Sequence, residues 1–135
     1  MSALLFVYGT LRTATGHRMA RLLQGQARRI GRATAAGRLF DLGDYPGMAP
    51  ARISGDRVRG EVFELHDAGT LAALDEYEGT EDPEPEFIRR QVFVTFTDGT
   101  RRRAWAYQWT GATKAAARPI ASGDYLKRRH RPKAA

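Results

Sequence analysis

The apolar residues of this chain form short runs, and the first run stops abruptly at residue 8. Residues 4–8 read Leu-Leu-Phe-Val-Tyr, which is typical of a buried strand, and Gly9-Thr10-Leu11 follows at once. We predict that this strand opens into a glycine turn with exposed backbone N–H groups. Such a turn can bind an anion or a polarised carbonyl.

Two later stretches have the apolar spacing of an amphipathic helix. The first covers residues 13–24, and Gly25 is expected to end it. The second begins at His66-Asp67 and covers residues 68–77, and Gly79 is expected to end it. Both helices are short, so each needs the rest of the domain to pack against.

The remaining apolar segments alternate with polar residues, as strands do. They are predicted over residues 27–42, 48–53, 58–65, 91–97 and 101–109. Gly31 and Gly37 interrupt the first of them, which predicts bent strands or a bulge. Asp98-Gly99 is a two-residue turn signal, so the last two strands form a hairpin. Because this order is not a regular βαβ alternation, we predict an α+β fold, a small and mostly antiparallel β-barrel or curled sheet with two helices.

The length and the charge distribution divide the chain into a body and a tail. The 135 residues are enough for one domain, which we place at residues 1–126. Residues 127–135 hold five basic residues and no acidic one, and without them the net charge of +7 falls to +2. We expect this tail to be disordered and solvated, with at most weak contact to nucleic acid or an anionic surface.

Several classes of chemistry are excluded by residues that the sequence lacks. Without cysteine there is no disulfide, no thiolate nucleophile and no cysteine-ligated metal, and the composition fits a cytoplasmic location. The three histidines have no metal-binding spacing, and neither a P-loop nor a G-x-S-x-G elbow occurs. We therefore expect no metal and no cofactor. No apolar run approaches the ~18 residues of a membrane span, so we expect no membrane association.

Three acidic residues end the second predicted helix, in the segment Leu74-Asp75-Glu76-Tyr77-Glu78-Gly79. At about 100° per residue, Glu78 projects within the apolar face, Asp75 lies at its margin and Glu76 points away. Burial and the negative end of the helix dipole both raise the pKa of a carboxylate at that position, as a general base near neutral pH requires. If the helix frays at Tyr77 instead, Glu78 is simply exposed.

Six segments of the chain form an ordered set. They are Tyr8-Gly9-Thr10-Leu11, Asp41-Leu42-Gly43-Asp44-Tyr45-Pro46, Val58-Arg59-Gly60-Glu61-Val62-Phe63, Leu74-Asp75-Glu76-Tyr77-Glu78-Gly79, Phe87-Ile88-Arg89-Arg90 and Ala104-Trp105-Ala106-Tyr107. This set resembles the γ-glutamylcyclotransferase-like superfamily, and in particular its AIG2-like and γ-glutamylamine cyclotransferase branch. Ser122-Gly123-Asp124-Tyr125 resembles the usual C-terminal end of that family.

The resemblance implies a small β-barrel flanked by two or three helices and an enzyme that cyclises a γ-glutamyl group to 5-oxoproline, releasing an amine or amino acid. It implies that Glu78 is the base and that backbone N–H groups of Gly9-Thr10-Leu11 hold the substrate carboxylate or the developing oxyanion. Tyr8 and Tyr107 would orient the substrate or close the pocket. The implied partner is a small-molecule γ-glutamyl substrate, without a metal or cofactor, and the oligomeric state is left open.

Two features bear on the substrate. Many members of the family have tyrosine where this chain has Phe87, so a pocket hydroxyl is missing. The loop of residues 79–86 is acidic, which disfavours anionic substrates such as glutathione and tolerates cationic leaving groups. Three alternatives stay open: a related enzyme that removes a γ-glutamyl protecting group during a biosynthesis, a non-catalytic small-molecule binding protein on the same fold, and a nucleic-acid binder that uses the basic tail.

Overall fold

The computed structural model describes residues 3–9, 11–12, 18–111 and 117–127. Its elements are β1 (Ala3–Val7), α1 (Arg18–Gln26), β2 (Ala27–Ala36), β3 (Arg38–Asp41), β4 (Pro46–Ala49), β5 (Arg57–Leu65), α2 (Ala68–Glu78), β6 (Phe87–Phe96), β7 (Arg101–Trp109), β8 (Arg118–Pro119) and a 3₁₀ helix (Tyr125–Lys127). Within these residues, neither helix has the length and apolar character that a bilayer crossing requires.

Five of the strands close into a barrel in the order β1-β5-β2-β6-β7. Four neighbouring pairs in this order are antiparallel, and a parallel contact between β1 and β7, with Leu5 opposite Trp105, completes the ring. Closure pairs the two edge strands that an open sheet would leave exposed. The predicted α+β class and the mostly antiparallel barrel are confirmed.

Two glycines allow the barrel strands to bend and approach one another. The pairing of β2 with β5 shifts register between Arg29 and Gly31, which is the predicted bulge. Gly60 lies where β5 crosses β1 so closely that a Cβ atom would stand 2.2 Å from the carbonyl oxygen of Val7. The end of β1 therefore packs directly against the backbone of β5, and this contact positions the turn that follows β1.

Side chains of the barrel strands alternate between two apolar layers. The inner layer fills the barrel and includes Phe6, Val62, Val94, Ala104 and Ala106. The outer layer lies between the barrel and the helices and includes Leu5, Leu23, Phe63, Leu74 and Tyr107. Strand β7 contributes to both layers, because Ala104 and Ala106 belong to the inner layer and Tyr107 to the outer one.

A small second sheet, in the order β4-β3-β8, packs against β7 of the barrel. Strand β4 ends at Ala49, so the predicted strand over residues 48–53 is wrong. The backbone N–H groups of Arg52 and Ile53 donate to the carboxylate of Asp56, at 2.8 and 3.2 Å, and Ile53 is 68% exposed. The chain turns there because a side chain satisfies the donors that a strand would have offered to a neighbour.

The two helices differ from the prediction at their ends. Helix α1 runs through Gly25 to Gln26, so its predicted end is wrong, and the side-chain oxygen of Gln26 accepts a hydrogen bond from Thr70 on α2 at 2.8 Å. Residues 13–17 of that prediction lie outside the described residues. Helix α2 ends one residue later than predicted and includes Glu78. Its predicted stop is confirmed, because Gly79 adopts the left-handed conformation with φ 71°.

The structure describes only part of the C-terminal segment for which we predicted the end of the domain and a tail. Asp124 and Tyr125 are buried against the body, and Lys127 ends the 3₁₀ helix. Residues 128–135 lie outside the described residues. The boundary at residue 126 and the disordered basic tail over residues 127–135 therefore stay predictions.

Candidate active site

A cavity of about 250 Å³ lies where the end of β1 meets the end of α2. Five of the six residues predicted from the sequence line it, namely Tyr8, Gly9, Leu11, Glu78 and Tyr107. Thr10, the sixth, lies outside the described residues. The other lining residues are Phe6, Val7, Tyr45, Pro46, Tyr77, Glu86 and Phe87. Residues far apart in the chain therefore meet in one concave site, as small-molecule sites usually require.

Glu78 is the last residue of α2 and is half-buried in the wall of the cavity. Burial, and then the charge of Glu86, raise the pKa of its carboxyl group to about 7. Within the described residues we find no hydrogen-bond donor on this carboxylate that would stabilise its charged form. Glu78 can therefore exchange a proton near neutral pH, which suits a general base.

Helix α2 continues through Tyr77 to Glu78, so the alternative in which it frays at Tyr77 does not apply. Leu74 is fully buried and Glu78 is half-buried, whereas Tyr77 is 40% exposed. The second cause of the raised pKa of Glu78 differs from the expectation. It is the nearby carboxylate of Glu86, on a loop that follows the helix, where the sequence had suggested the helix dipole.

Tyr8, which follows β1 directly, connects that strand to β4 and β7 at the base of the cavity. Its hydroxyl group donates to the carbonyl oxygen of Tyr107 at 2.5 Å and accepts from the backbone N–H of Met48 at 3.2 Å. Complete burial raises the pKa of this hydroxyl far above its ordinary value. Tyr8 therefore stays neutral and holds the end of β1 in place.

The turn after β1 is packed tightly against the small sheet. The N–H of Arg12 donates to the carbonyl oxygen of Gly9 at 3.0 Å, which closes the turn. A Cβ atom on Gly9 would stand 2.5 Å from the ring of Pro46. Glycine is required here because the backbone of the turn and the proline ring share one wall of the cavity.

Tyr107 is held by a polar network that sequence reasoning did not find. The Asp75 carboxylate accepts from the Tyr107 hydroxyl at 2.7 Å and from Arg89 Nε at 2.9 Å. The Arg89 guanidinium also lies 4.4 Å from the centre of the Trp105 ring. These contacts fix the Tyr107 ring in the cavity wall and anchor α2 to the barrel. The marginal position of Asp75 on the helix was the one sequence signal for it.

The raised pKa of Glu78 predicts how the free energy of unfolding changes with pH. A carboxyl group whose folded pKa is about 7, against an ordinary 4.5, contributes stability that is present below about pH 4.5 and is lost as pH rises through 7. The E78Q variant does not ionise, so at pH 8 it should be more stable than the wild type by about 1–3 kcal/mol. Urea unfolding at pH 5 and pH 8 measures this.

The matched control is E76Q on the same helix, because Glu76 is exposed. Its difference from the wild type should be the same at both pH values. If E78Q shows no gain in stability between pH 5 and pH 8, the Glu78 carboxyl group is not desolvated in the folded protein.

The chain is similar to known proteins in sequence and in fold. A family model described as "Gamma-glutamyl cyclotransferase, AIG2-like" matches residues 5–127. No curated protein gives a significant match. Among solved structures, YkqA from Bacillus subtilis is 29% identical with a TM-score of 0.72, over 93% of this chain and 40% of that longer chain. This chain therefore spans less than half the length of that relative.

Two further structures share the fold. An AIG2-like protein from Mus musculus is 24% identical with a TM-score of 0.68, over 84% of this chain and 80% of the mouse protein. A structure named gamma-glutamyl cyclotransferase is 22% identical with a TM-score of 0.67, over 88% of this chain and 72% of its own. At these identities the two likenesses establish the barrel architecture alone.

Proposed function

This chain belongs to the gamma-glutamyl cyclotransferase, AIG2-like family, and from that membership we propose that it is an enzyme that cyclises a γ-glutamyl group to 5-oxoproline and releases an amine or amino acid. One observation carries the proposal. Glu78, with a pKa of about 7, and the turn at Gly9 and Leu11 line the same cavity. A base and the turn after β1 therefore line one volume of molecular size.

The proposed reaction uses the substrate's own nucleophile. The Glu78 carboxylate accepts a proton from the substrate α-ammonium, and the freed amine attacks the γ-carbonyl carbon. A C–N bond forms while the carbonyl oxygen gains negative charge, which backbone N–H groups of the turn after β1 stabilise. Glu78 returns its proton to the leaving nitrogen, and the carbonyl re-forms as the bond to that nitrogen breaks. The ring nitrogen, which carries two protons after the attack, loses the second one to the released amine, so the products are 5-oxoproline, with a neutral ring amide, and an ammonium ion. Protons and electrons balance without a further reactant.

The two tyrosines have different parts in this proposal. Tyr8 connects the end of β1 to two other strands through the hydrogen bonds of its hydroxyl group, so it shapes the base of the pocket. Tyr107 is fixed by Asp75 and presents its ring to the substrate. Phe87 is buried in the cavity wall and offers no hydroxyl, so the substrate makes an apolar contact there.

The charge around the cavity bears on the leaving group. Glu86 lines the cavity, and Glu81, Asp82 and Glu84 are exposed in the loop that precedes it. A leaving group with a free carboxylate would be repelled by this loop, whereas a neutral or cationic amine would not. We expect kcat/KM for a γ-glutamyl amine to exceed that for a γ-glutamyl dipeptide by about 10-fold at low salt. The difference should shrink as ionic strength rises.

The function is tested by incubating the protein with a panel of γ-glutamyl amines and γ-glutamyl dipeptides and measuring both products. Cyclisation gives 5-oxoproline and the released amine in equal amounts. The matched control substrate carries an acetyl group on the α-nitrogen, which removes the nucleophile, so it should not react. Release of glutamate, or cleavage of the acetylated substrate, would indicate a hydrolase. Binding without turnover would indicate a non-catalytic protein.

A further inference from the structure

A second carboxylate lies in the same cavity as Glu78. Glu86, the last residue of the loop between α2 and β6, is half-buried and lines the cavity wall. Burial is the largest cause of the raised pKa of Glu78, and the charge of Glu86 is the next largest. Two carboxylates in one small site ordinarily have separate tasks, because like charges at short range disfavour ionisation of both.

Glu86 is held in place at both its side chain and its backbone. The hydroxyl group of Tyr45 donates to Glu86 Oε1, and the Tyr45 ring packs on Phe87 with 5.8 Å between ring centres. The carbonyl oxygen of Glu86 accepts from the N–H of Thr110 at 2.9 Å. The same hydrogen bond to Glu86 raises the pKa of Tyr45 to about 12, so the donor keeps its proton in the neutral range. These contacts on its side chain and backbone therefore hold Glu86 in the cavity wall.

The other groups that face Glu78 carry little net charge. Tyr8 of β1 and Tyr107 of β7 are neutral because burial raises the pKa of each hydroxyl far above the ordinary range. Tyr45, on the loop before β4, keeps its proton as well. On α2 itself, the negative charge of Asp75 is matched by Arg89 at 2.9 Å. Among the described residues, no arginine or lysine forms an ion pair with Glu86.

We propose that Glu86 is a positioning residue whose fixed negative charge keeps Glu78 basic enough to accept the proton of the substrate ammonium. This inference rests on the proposed function, because it gives Glu86 its task through the base of that reaction. Glu86 does not itself transfer a proton. Tyr45 supports the arrangement by holding the Glu86 carboxylate against the cavity wall.

The test is the E86Q variant, which keeps the hydrogen bond from Tyr45 and removes the charge. The acid limb of its profile of kcat/KM against pH should move to lower pH by about half a unit to one unit. Because a weaker base transfers the proton less readily, kcat/KM at pH 8 should fall about threefold, while activity near pH 6 is retained. E86D should restore the wild-type profile. E76Q, which removes the charge of an exposed acid on α2, is the matched control and should leave the profile unchanged.

A second measurement separates failure of this inference from failure of the proposed function. The Glu78 carboxyl carbon can be titrated by ¹³C NMR in the wild type and in E86Q, with E78Q to assign the signal, and no substrate is needed. An unchanged Glu78 midpoint in E86Q overturns the role of Glu86 while leaving cyclisation standing. A wild-type protein that forms no 5-oxoproline from any substrate of the panel overturns the proposed function itself. A downward shift of both the NMR midpoint and the acid limb supports the inference.

Discussion

The E78Q variant is expected to lose about 100- to 10,000-fold in kcat/KM for γ-glutamyl cyclisation, the range that a positioned general base contributes. Glutamine has nearly the same shape as glutamate, so it should still fill the end of α2 and the cavity wall. It cannot accept the ammonium proton, and the nucleophile therefore stays protonated. The loss should fall mainly on kcat, because the turn after β1 and the apolar wall still bind substrate.

Two comparisons make this result interpretable. E76Q alters an exposed acid two residues earlier on the same helix and should be as active as the wild type. E78Q should also be the more stable protein at pH 8, as argued for the raised pKa of Glu78, so its inactivity cannot be assigned to unfolding. The cyclisation mechanism would be refuted by an E78Q protein that retains a third or more of wild-type kcat/KM.

The R12M variant is expected to have the largest effect on stability, a loss of about 3–5 kcal/mol in the free energy of unfolding at pH 7. Arg12, Glu61 and Asp124 are 7%, 4% and 6% exposed. Arg12 Nη1 lies 2.7 Å from Asp124 Oδ1, and Arg12 Nε lies 3.8 Å from Glu61 Oε1. Methionine fills a similar volume but leaves Asp124 buried without its cation. The cost arises from that uncompensated charge.

Urea unfolding or calorimetry measures the loss, and the chain supplies a matched control. Arg28 also pairs with a carboxylate, at 3.2 Å from Glu64, but its side chain is 67% exposed. R28M should cost less than about 1 kcal/mol, because the Arg28 guanidinium is already largely solvated. An R12M protein no less stable than R28M would show that the buried network contributes little. The double variant of R12M with D124N should recover part of the loss, since it removes the orphaned charge as well.

The same network bears on the site. Arg12 follows the turn of Gly9 and Leu11 directly, and Asp124 belongs to the segment just before the 3₁₀ helix. Asp124 also accepts from the N–H of Leu126 at 3.0 Å, so the C-terminal segment is fixed at the position that Arg12 needs. The last described part of the chain therefore holds the first loop of the candidate site in place.

Much of the fold could be read from local patterns. The first strand, the helix ending at Gly79, the bulge at Gly31 and the hairpin through Asp98-Gly99 all depend on residues close together in sequence. Each was predicted from spacing or from the backbone preference of glycine. The predicted strand over residues 48–53 was wrong because Asp56, outside that segment, takes its backbone donors.

The residues of the candidate site likewise divide into those that local patterns predicted and those that they did not. Glu78 could be found because the position of a side chain on a helix follows from counting residues, and five of the six predicted residues share one cavity. The partners of Asp75 could not be found, since Arg89 and Tyr107 reach it only through the register of β6 on β7. Glu86 was seen in the sequence as one solvated loop acid among several.

What the sequence alone determined is therefore local. It determined the hairpin turn at Asp98-Gly99 and the end of α2, and it put an acid on a helix face that had to be buried, because these follow from backbone geometry within a few residues. Only the tertiary structure decided which charges meet. Arg12 and Asp124 are 112 positions apart, and Tyr45 reaches Glu86 from 41 positions away. Such pairings depend on how strands and loops close in space, which no local pattern records.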